Sequence, residues 1–501
     1  MASSLPVRSV KAATGLIAFS TLVGHAVAFH DDSRIAEDET ISSDPLDATL
    51  WLHIFVMMLS VGILYPIGMV LGMTKNRWHI PVQILATSLV AFGYLLGYFH
   101  KGRMFRASNV HTKFSGVIFI AIATQCVAGF YLWLPFGVKS IGGRIGSLIR
   151  PVHSVLGKTF PVIAWVQMIF GGITTLGFCQ GDHTGQCAAH FIMGGAFIGY
   201  ATVMALFVAV GQRWLRRSGR SQEFFDSIII AAFGCVNTFT EHHWGTAWVK
   251  NDWQHTTIGV IWWATGLVGI WLSTDRFGNP KRNFIPGFVL IVTGWGMSSH
   301  PQETMTSTMV HKMFGYCLMG AGVTRIIEIC FVLRDQAALT DDGYSYSSFQ
   351  YLPIFVSQIV PIETCGWAIP LLTLHSSPKL LYLSGFLLMS ATEEQMNLIE
   401  QSDMDHVSFI FITISMAALT FLFANFVIRL YDNLSSSIAL PNDHQRIPQN
   451  DVEAERQAAH ASEFELAGLT DDEDDDEHGF LAKNGGSKAR SEGTSTNTSS
   501  K

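Results

Sequence analysis

From residue 50 to residue 431 the chain alternates long apolar blocks with short polar connections. The blocks fall at about 50–73, 80–99, 112–134, 152–178, 189–211, 226–240, 255–273, 284–299, 308–333, 351–373, 378–391 and 407–431. A run of about 18 or more apolar residues has the length of a helix that crosses a bilayer. In lipid such a run must be helical, because every backbone group has to be satisfied within the segment. The pattern predicts an all-α, polytopic membrane helix bundle of about 11–12 transmembrane helices. Its connections are short enough to make sequential helices antiparallel neighbours.

Loop charge orients the bundle. If residue 50 starts outside, the inner loops are "TKNRW", "KSIGGRIGSLIR", "QRWLRRSGRSQ" and "TDRFGNPKRN", and each carries Lys or Arg. The outer loops "CQGDHTGQC" and "SSHPQETMTST" carry none, while "HKGRMFRASNVHTK" is a basic exception on the outer side. The short block 378–391 decides the far end. If it spans, there are twelve helices and the tail is outside; if not, there are eleven and the tail is cytoplasmic.

Composition agrees with the pattern. The 501 residues are 49% hydrophobic and only 14% charged, against about a quarter charged in soluble domains, and mean hydropathy is +0.30. The net charge of −7 is concentrated in a polar tail from about residue 432, which contains "DDEDDDE" and is expected to be disordered. Nothing supports nucleic-acid binding. At the other end, Arg8 and Lys11 precede "ATGLIAFSTLV" and the small residues Ala26–Ala28, the form of a signal peptide over residues 1–28. The expected setting is the secretory or endomembrane system, at the plasma membrane or at the vacuole or endosome. The orientation places Cys179 and Cys187 in an outer loop, where a disulfide is expected.

Histidines carry the candidate chemistry. His53 lies near the outer end of the first block, His79 opens the second on the inner side, His111 opens the third on the outer side, and His153 opens the fourth on the inner side. Topology therefore pairs His53 with His111 and His79 with His153. Two imidazoles on facing helices at one depth are what a six-coordinate b-type haem requires, and one such haem near each face would form an electron path across the membrane. A glycine follows four residues after His153, His190, His255 and His311, on the same helix face; Gly157 is expected to leave room for a macrocycle beside His153. With 45 glycines in 501 residues, 19 histidines would meet this spacing about 1.7 times by chance, so position says more than the motif.

The stretches "LHIFVMMLSVGILYPIG", "WHIPVQ", "HTKFSGVIFIAIATQ" and "HSVLGKTFPVIAWVQ" resemble the four-histidine core of cytochrome b-561 and ferric-reductase-type membrane domains. That resemblance implies haem b held by His53 with His111 and by His79 with His153. A wider resemblance, carried by "GQCAAHFIMGGAF", "NTFTEHHWG", "GWGMSSHPQETMTSTMVHKMFGY" and "SATEEQ", is to the fungal Ytp family. It implies a b-561-like domain over residues 45–178 and a Ytp-like domain over residues 179–431, and leaves the reaction open. No G-x-G-x-x-G follows a strand, so no flavin or nicotinamide module is indicated.

The second half gathers His183, His190, His242, His243, His255, His300 and His311 on the outer side, with Asp182, Glu241, Asp252 and Glu303 nearby. Imidazole and carboxylate together suit iron, copper, zinc or nickel. The cluster is expected to be either an outer metal site, or a third haem held by His255 and His311, or a belt of interfacial histidines among tryptophans. Ionisable residues within apolar blocks are functional candidates by default: Arg325 and Glu328, three apart and able to pair, and Glu363, Glu393 and Glu394, which have no evident partner.

Two functions follow. One is a transmembrane oxidoreductase that takes electrons from an ascorbate-like cytoplasmic donor to ferric or cupric ion outside. In it, Lys75 and Arg77 inside, and Arg103, Arg106 and Lys113 outside, attract anionic donors or chelates. The other is a haem-free transporter or membrane scaffold that uses the outer histidines and the intramembrane glutamates for metal or proton binding.

Overall fold

The computed structural model describes residues 40–106, 108–134, 141–207, 212–242, 245–299, 302, 304–332 and 377–439. The expected signal peptide, the block 351–373 with Glu363, the residues His243, His300 and Glu303, and the tail past residue 439 lie outside the described residues. Apart from the isolated bridges Ile41–Phe105 and Thr274–Pro280, the described secondary structure is helical.

The helices in chain order are α1 (Ala48–Met73), α2 (His79–Phe99), α3 (Val110–Trp133), α4 (Ile141–Leu176), α5 (Thr184–Leu206), the short α6 (Gln212–Ser218), α7 (Gln222–Thr240), α8 (Lys250–Leu272), α9 (Ile285–Ser298), α10 (Met305–Ile327), α11 (Ser377–Met389), α12 (Glu393–Gln401) and α13 (His406–Ala439). Among the described residues nine helices are long and apolar enough to cross a membrane, and α9 and α11 contribute two shorter apolar ones. α13 continues to Ala439, past the expected start of the tail at 432.

Loops assigned to one face do meet. At the outer end Glu394 Oε2 accepts the backbone N–H of Cys179 at 2.7 Å, and the Arg103 guanidinium donates to Thr175 O at 3.0 Å. At the inner end the Arg220 guanidinium donates to Thr274 Oγ1 at 3.3 Å. α11 covers most of the block 378–391. Its Tyr382 hydroxyl bonds Thr202 Oγ1 at 2.7 Å near the inner end of α5, and its far end packs at Gly194, midway along α5. It therefore runs antiparallel to α5 towards the outer face, α12 follows there, and α13 returns to end on the inner side against α1.

Glycines set how closely the second-half helices approach. A Cβ on Gly315 of α10 would collide with Gly294 O of α9, and a Cβ on Gly194 of α5 with Gly385 O of α11. Small residues at crossings let backbones touch, which is the main source of helix attraction where lipid removes the hydrophobic one. The glycines four residues after His190 and His311 are thus packing contacts. Gly259, four after His255, meets the backbone of Thr238 in the same way.

At the outer mouth of α1 the segment 40–47 pairs with 101–106: Ser42 N–H donates to Met104 O and Arg106 N–H to Thr40 O. Asp47 caps α1 by accepting Leu50 N–H at 3.0 Å, and it also accepts Lys101 N–H at 3.1 Å. Slight burial pushes its carboxyl up, but the Lys101 and Leu50 N–H groups outweigh this and hold it below the ordinary carboxylate range.

Two outcomes are expected. In a chain whose free cysteines are replaced by alanine, Glu400→Cys reacts with a membrane-impermeant maleimide on intact cells or vesicles of native sidedness, and Phe277→Cys reacts only after the membrane is opened. Labelling of both from one side would refute the alternation. Asp47→Ala lowers stability by about 1 kcal/mol. Because the folded carboxyl is depressed, the wild-type advantage in thermal midpoint is present at neutral pH and is lost as pH falls through the folded value.

Candidate functional site

The first four helices form two antiparallel hairpins, α1–α2 and α3–α4, and each hairpin gives one histidine to each end. The rings of His53 (α1) and His111 (α3) have centres 6.3 Å apart and planes at 87°. Those of His79 (α2) and His153 (α4) have centres 6.3 Å apart and planes at 80°. Both pairs join the histidines that topology matches.

Within each hairpin the helices hold each other's histidines. His53 Nδ1 lies 2.7 Å from Gly93 O of α2, and His79 Nδ1 lies 2.7 Å from Gly68 O of α1. His111 Nδ1 lies 3.3 Å from Gln167 O of α4. The Gln167 amide donates to His111 O at 3.1 Å, and the Gln125 amide of α3 donates to His153 O at 3.0 Å. A ring nitrogen facing a carbonyl must carry the proton, so Nε2 of His53 and His79 is left as the lone-pair nitrogen; His111 Nδ1 also lies 3.1 Å from the Gln167 amide nitrogen.

The glycines beside the rings come from the opposite helix of the hairpin. A Cβ on Gly97 would come within 2.7 Å of the His53 ring, and one on Gly72 within 2.8 Å of the His79 ring. A Cβ on Gly171 would stand 3.3 Å from His111, and one on Gly129 3.3 Å from His153. A Cβ on Gly157 would stand 3.0 Å from the Gln125 amide nitrogen, with no histidine among its nearest atoms.

These partners obey a spacing that the i+4 motif hides. In α2, α3 and α4 the clasping residue lies fourteen positions after the histidine and the ring-side glycine four further on: His79, Gly93, Gly97; His111, Gln125, Gly129; His153, Gln167, Gly171. α1 has one residue more, His53 to Gly68 and Gly72. That extra residue is taken up by a π-helical stretch at Met58–Leu64, which widens the helix by an insertion and is frequent at functional positions. The repeated spacing was the available signal.

Between the two pairs lies an apolar core of Val61, Tyr65, Ala86, Ile122, Phe160 and Ala164 among others, with the Tyr65 and Phe160 rings 4.7 Å apart. Arg103 is not available to attract anions as expected, because its guanidinium is tied to Asp44 O and Thr175 O. Lys75, Arg77 and Lys113 are exposed.

The described outer histidines of the second half fall into four groups. His242 Nδ1 is 2.9 Å from Asp252, and its ring stacks on Trp248 at 3.9 Å. His255 pairs with Glu241 at 3.3 Å and does not face His311. The ring facing His311 is His190, with centres 6.1 Å apart and planes at 82°. Cys179 and Cys187 are disulfide-bonded, with Cα atoms 5.4 Å apart. Glu394 binds the Cys179 backbone, and Glu393 lies 3.9 Å from exposed His183; both belong to the outer surface.

Arg325 and Glu328 do pair, at 2.6 Å, but in a larger buried group. Arg325 also binds Glu223 of α7 at 2.7 Å, and Arg282 approaches the same carboxylate at 3.5 Å. Asp226 and Tyr200 share a hydrogen bond beside them. The partner Glu223 lies 102 residues from Arg325, beyond the reach of local spacing.

The fold and its paired histidines define a polytopic, all-α integral membrane protein with a four-helix histidine core. The chain belongs to the YTP1-like family: residues 163–432 match the family described as Protein YTP1-like, C-terminal, and residues 33–135 match a Domain of unknown function (DUF2427). It is 38% identical to Protein YTP1 of Saccharomyces cerevisiae over 54% of this chain and 52% of that protein, so the match spans about half of that relative. An uncharacterized membrane protein of Schizosaccharomyces pombe is 20% identical over 59% of this chain and 81% of its own length. A second uncharacterized membrane protein of S. cerevisiae is 27% identical over 30% of this chain and 32% of its own length. No solved structure matches.

Removing Arg325 takes out the guanidinium that bridges Glu223 and Glu328 in a buried group, with Arg282 remaining at 3.5 Å from Glu223, a loss of about 3–5 kcal/mol. Arg325→Met is expected to lower the thermal midpoint of the detergent-solubilised protein by several degrees, and adding Glu223→Gln and Glu328→Gln to recover part of it. An unchanged midpoint in the single variant would contradict the network.

Proposed function

We propose that this chain is a membrane electron-transfer protein of the b-type, with one haem b between His53 and His111 and a second between His79 and His153. The observation that carries this reading is the spacing of the facing rings. Two imidazoles that held one metal atom between them, with nitrogens at about 2.0 Å and ring centres about 1.1 Å further out, would stand roughly 6.2 Å apart centre to centre. Both pairs stand at 6.3 Å. The donor set fits: imidazoles on facing helices, glycines where a Cβ would crowd the rings, and a buried His153 Nδ1 without a hydrogen-bond partner. A haem held by two of these imidazoles would supply one-electron transfer.

The chain's own groups have distinct tasks. His53, His79, His111 and His153 bind; the carbonyls of Gly93 and Gly68 fix ring orientation and tautomer for His53 and His79, and Gln167 orients His111. Gly72, Gly97, Gly129 and Gly171 keep the ring faces clear. The core around Tyr65 and Phe160 excludes water from the space between the sites. Lys75 and Arg77 at the inner end attract an anionic reductant of the ascorbate class, and Lys113 at the outer end an anionic chelate of ferric or cupric ion, the expected acceptor. The proposed setting is a membrane of the secretory or endomembrane system.

The test is a reduced-minus-oxidised spectrum of the purified protein. A b-type α-band is expected, and it is lost in His53→Ala with His79→Ala. Gly97→Val, which pushes on the His53 ring, shifts the midpoint potential of one centre and leaves the other unchanged, a response that general loosening of the fold would not give. A well-folded, colourless protein would overturn the reading in favour of a haem-free transporter or scaffold.

A further inference from the structure

The second half of the chain contains a third pair built to the same measure. His190 of α5 and His311 of α10 are 121 positions apart in sequence, yet their rings face each other at 6.1 Å with planes at 82°. Each ring is oriented by its own helix: His190 Nδ1 lies 2.8 Å from Gln186 O, and His311 Nδ1 lies 2.9 Å from Ser307 O. A proton on each Nδ1 leaves Nε2 as the ligating nitrogen. The Nε2 atom of His190 is buried and has no hydrogen-bond partner.

Both rings open on one cavity of about 90 Å³. Its walls are largely apolar, with Met193, Phe197, Trp262, Met297 and Phe314 among the lining residues. Trp262 turns its indole N–H away to Thr293 Oγ1 at 2.6 Å. His255 and Glu241 also line the cavity and are paired with each other. A lone zinc or copper(II) ion would call for further imidazole, carboxylate or water ligands around it. Two perpendicular imidazoles in an apolar, aromatic and methionine-lined space fit a flat apolar ring better.

We propose that His190 and His311 are the axial ligands of a third haem b, on the outer side of the second helix set. This inference takes only its template from the first two pairs, and its success or failure is separable from theirs. The new site shares neither helix nor residue with them.

The test is the haem content of the full chain, expressed with haem supplied and purified in detergent. Pyridine haemochromogen is measured per chain, with zinc, copper and iron counted on the same sample. Three haems per wild-type chain are expected. His190→Leu and His311→Leu should each retain two, with the α-band reduced by about one third; the surviving bands report that the fold is intact. His53→Leu with His79→Leu should lose the other two. If those variants keep their haem while His190→Leu loses it, the third site stands and the di-haem reading falls. Two haems per wild-type chain, both unaffected by His190→Leu, would overturn the third site alone. Stoichiometric zinc or copper lost in His190→Leu without loss of haem would overturn it in favour of a mononuclear metal. If a histidine variant is not recovered folded, the wild-type count decides, with three supporting the site and two rejecting it.

Discussion

A histidine ring inside a bundle of apolar helices has two nitrogens to place and no water to place them with. The α1–α2 hairpin meets this demand by having each helix offer a backbone carbonyl to its neighbour's Nδ1, at 2.7 Å for His53 and for His79. That carbonyl fixes the ring plane, and the plane directs Nε2 at the other hairpin. The distance between hairpins, the glycines beside the rings and the glutamine clasps of α3 and α4 all serve this placement. The apolar core between the two levels is what remains once the ends are specified.

The second helix set meets the same demand differently. His190 and His311 turn Nδ1 to carbonyls of their own helices, one turn back, so their neighbours are free to pack by backbone contact at Gly194 and Gly315. Charge is handled at the opposite end, where Arg325 satisfies two carboxylates at once. A buried arginine with two partners fixes α7 against α10, and it does so at the inner boundary, away from the outer histidines.

Much of this was legible in the chain. Block length and loop charge gave the alternation of helices, and alternation gave the pairing of His53 with His111 and of His79 with His153, because each end can only see histidines at its own depth. The four-residue histidine–glycine spacing misled, since it relates neighbours on one helix while the clasps run between helices. The fourteen-residue spacing is readable, but α1 breaks it by one position, and nothing in "MLSVGIL" announces an insertion. Contacts such as Arg325 with Glu223, or His190 with His311, depend on which helices become neighbours across more than a hundred residues. His255 illustrates the cost: it stands at the right depth to face His311, and a nearby carboxylate, Glu241, takes it instead.

The π-helical stretch in α1 acts as a phase adjuster. One residue of an α-helix corresponds to about 100° of rotation, so a single extra position between His53 and Gly68 would, in a regular helix, turn the two ends out of mutual alignment. Absorbing it in a wide turn lets the outer third of α1 aim at α3 while the inner third still serves α2. The two ends of that helix are therefore angularly independent, and their relative aim is recorded in a count of residues and not in the identity of any one of them.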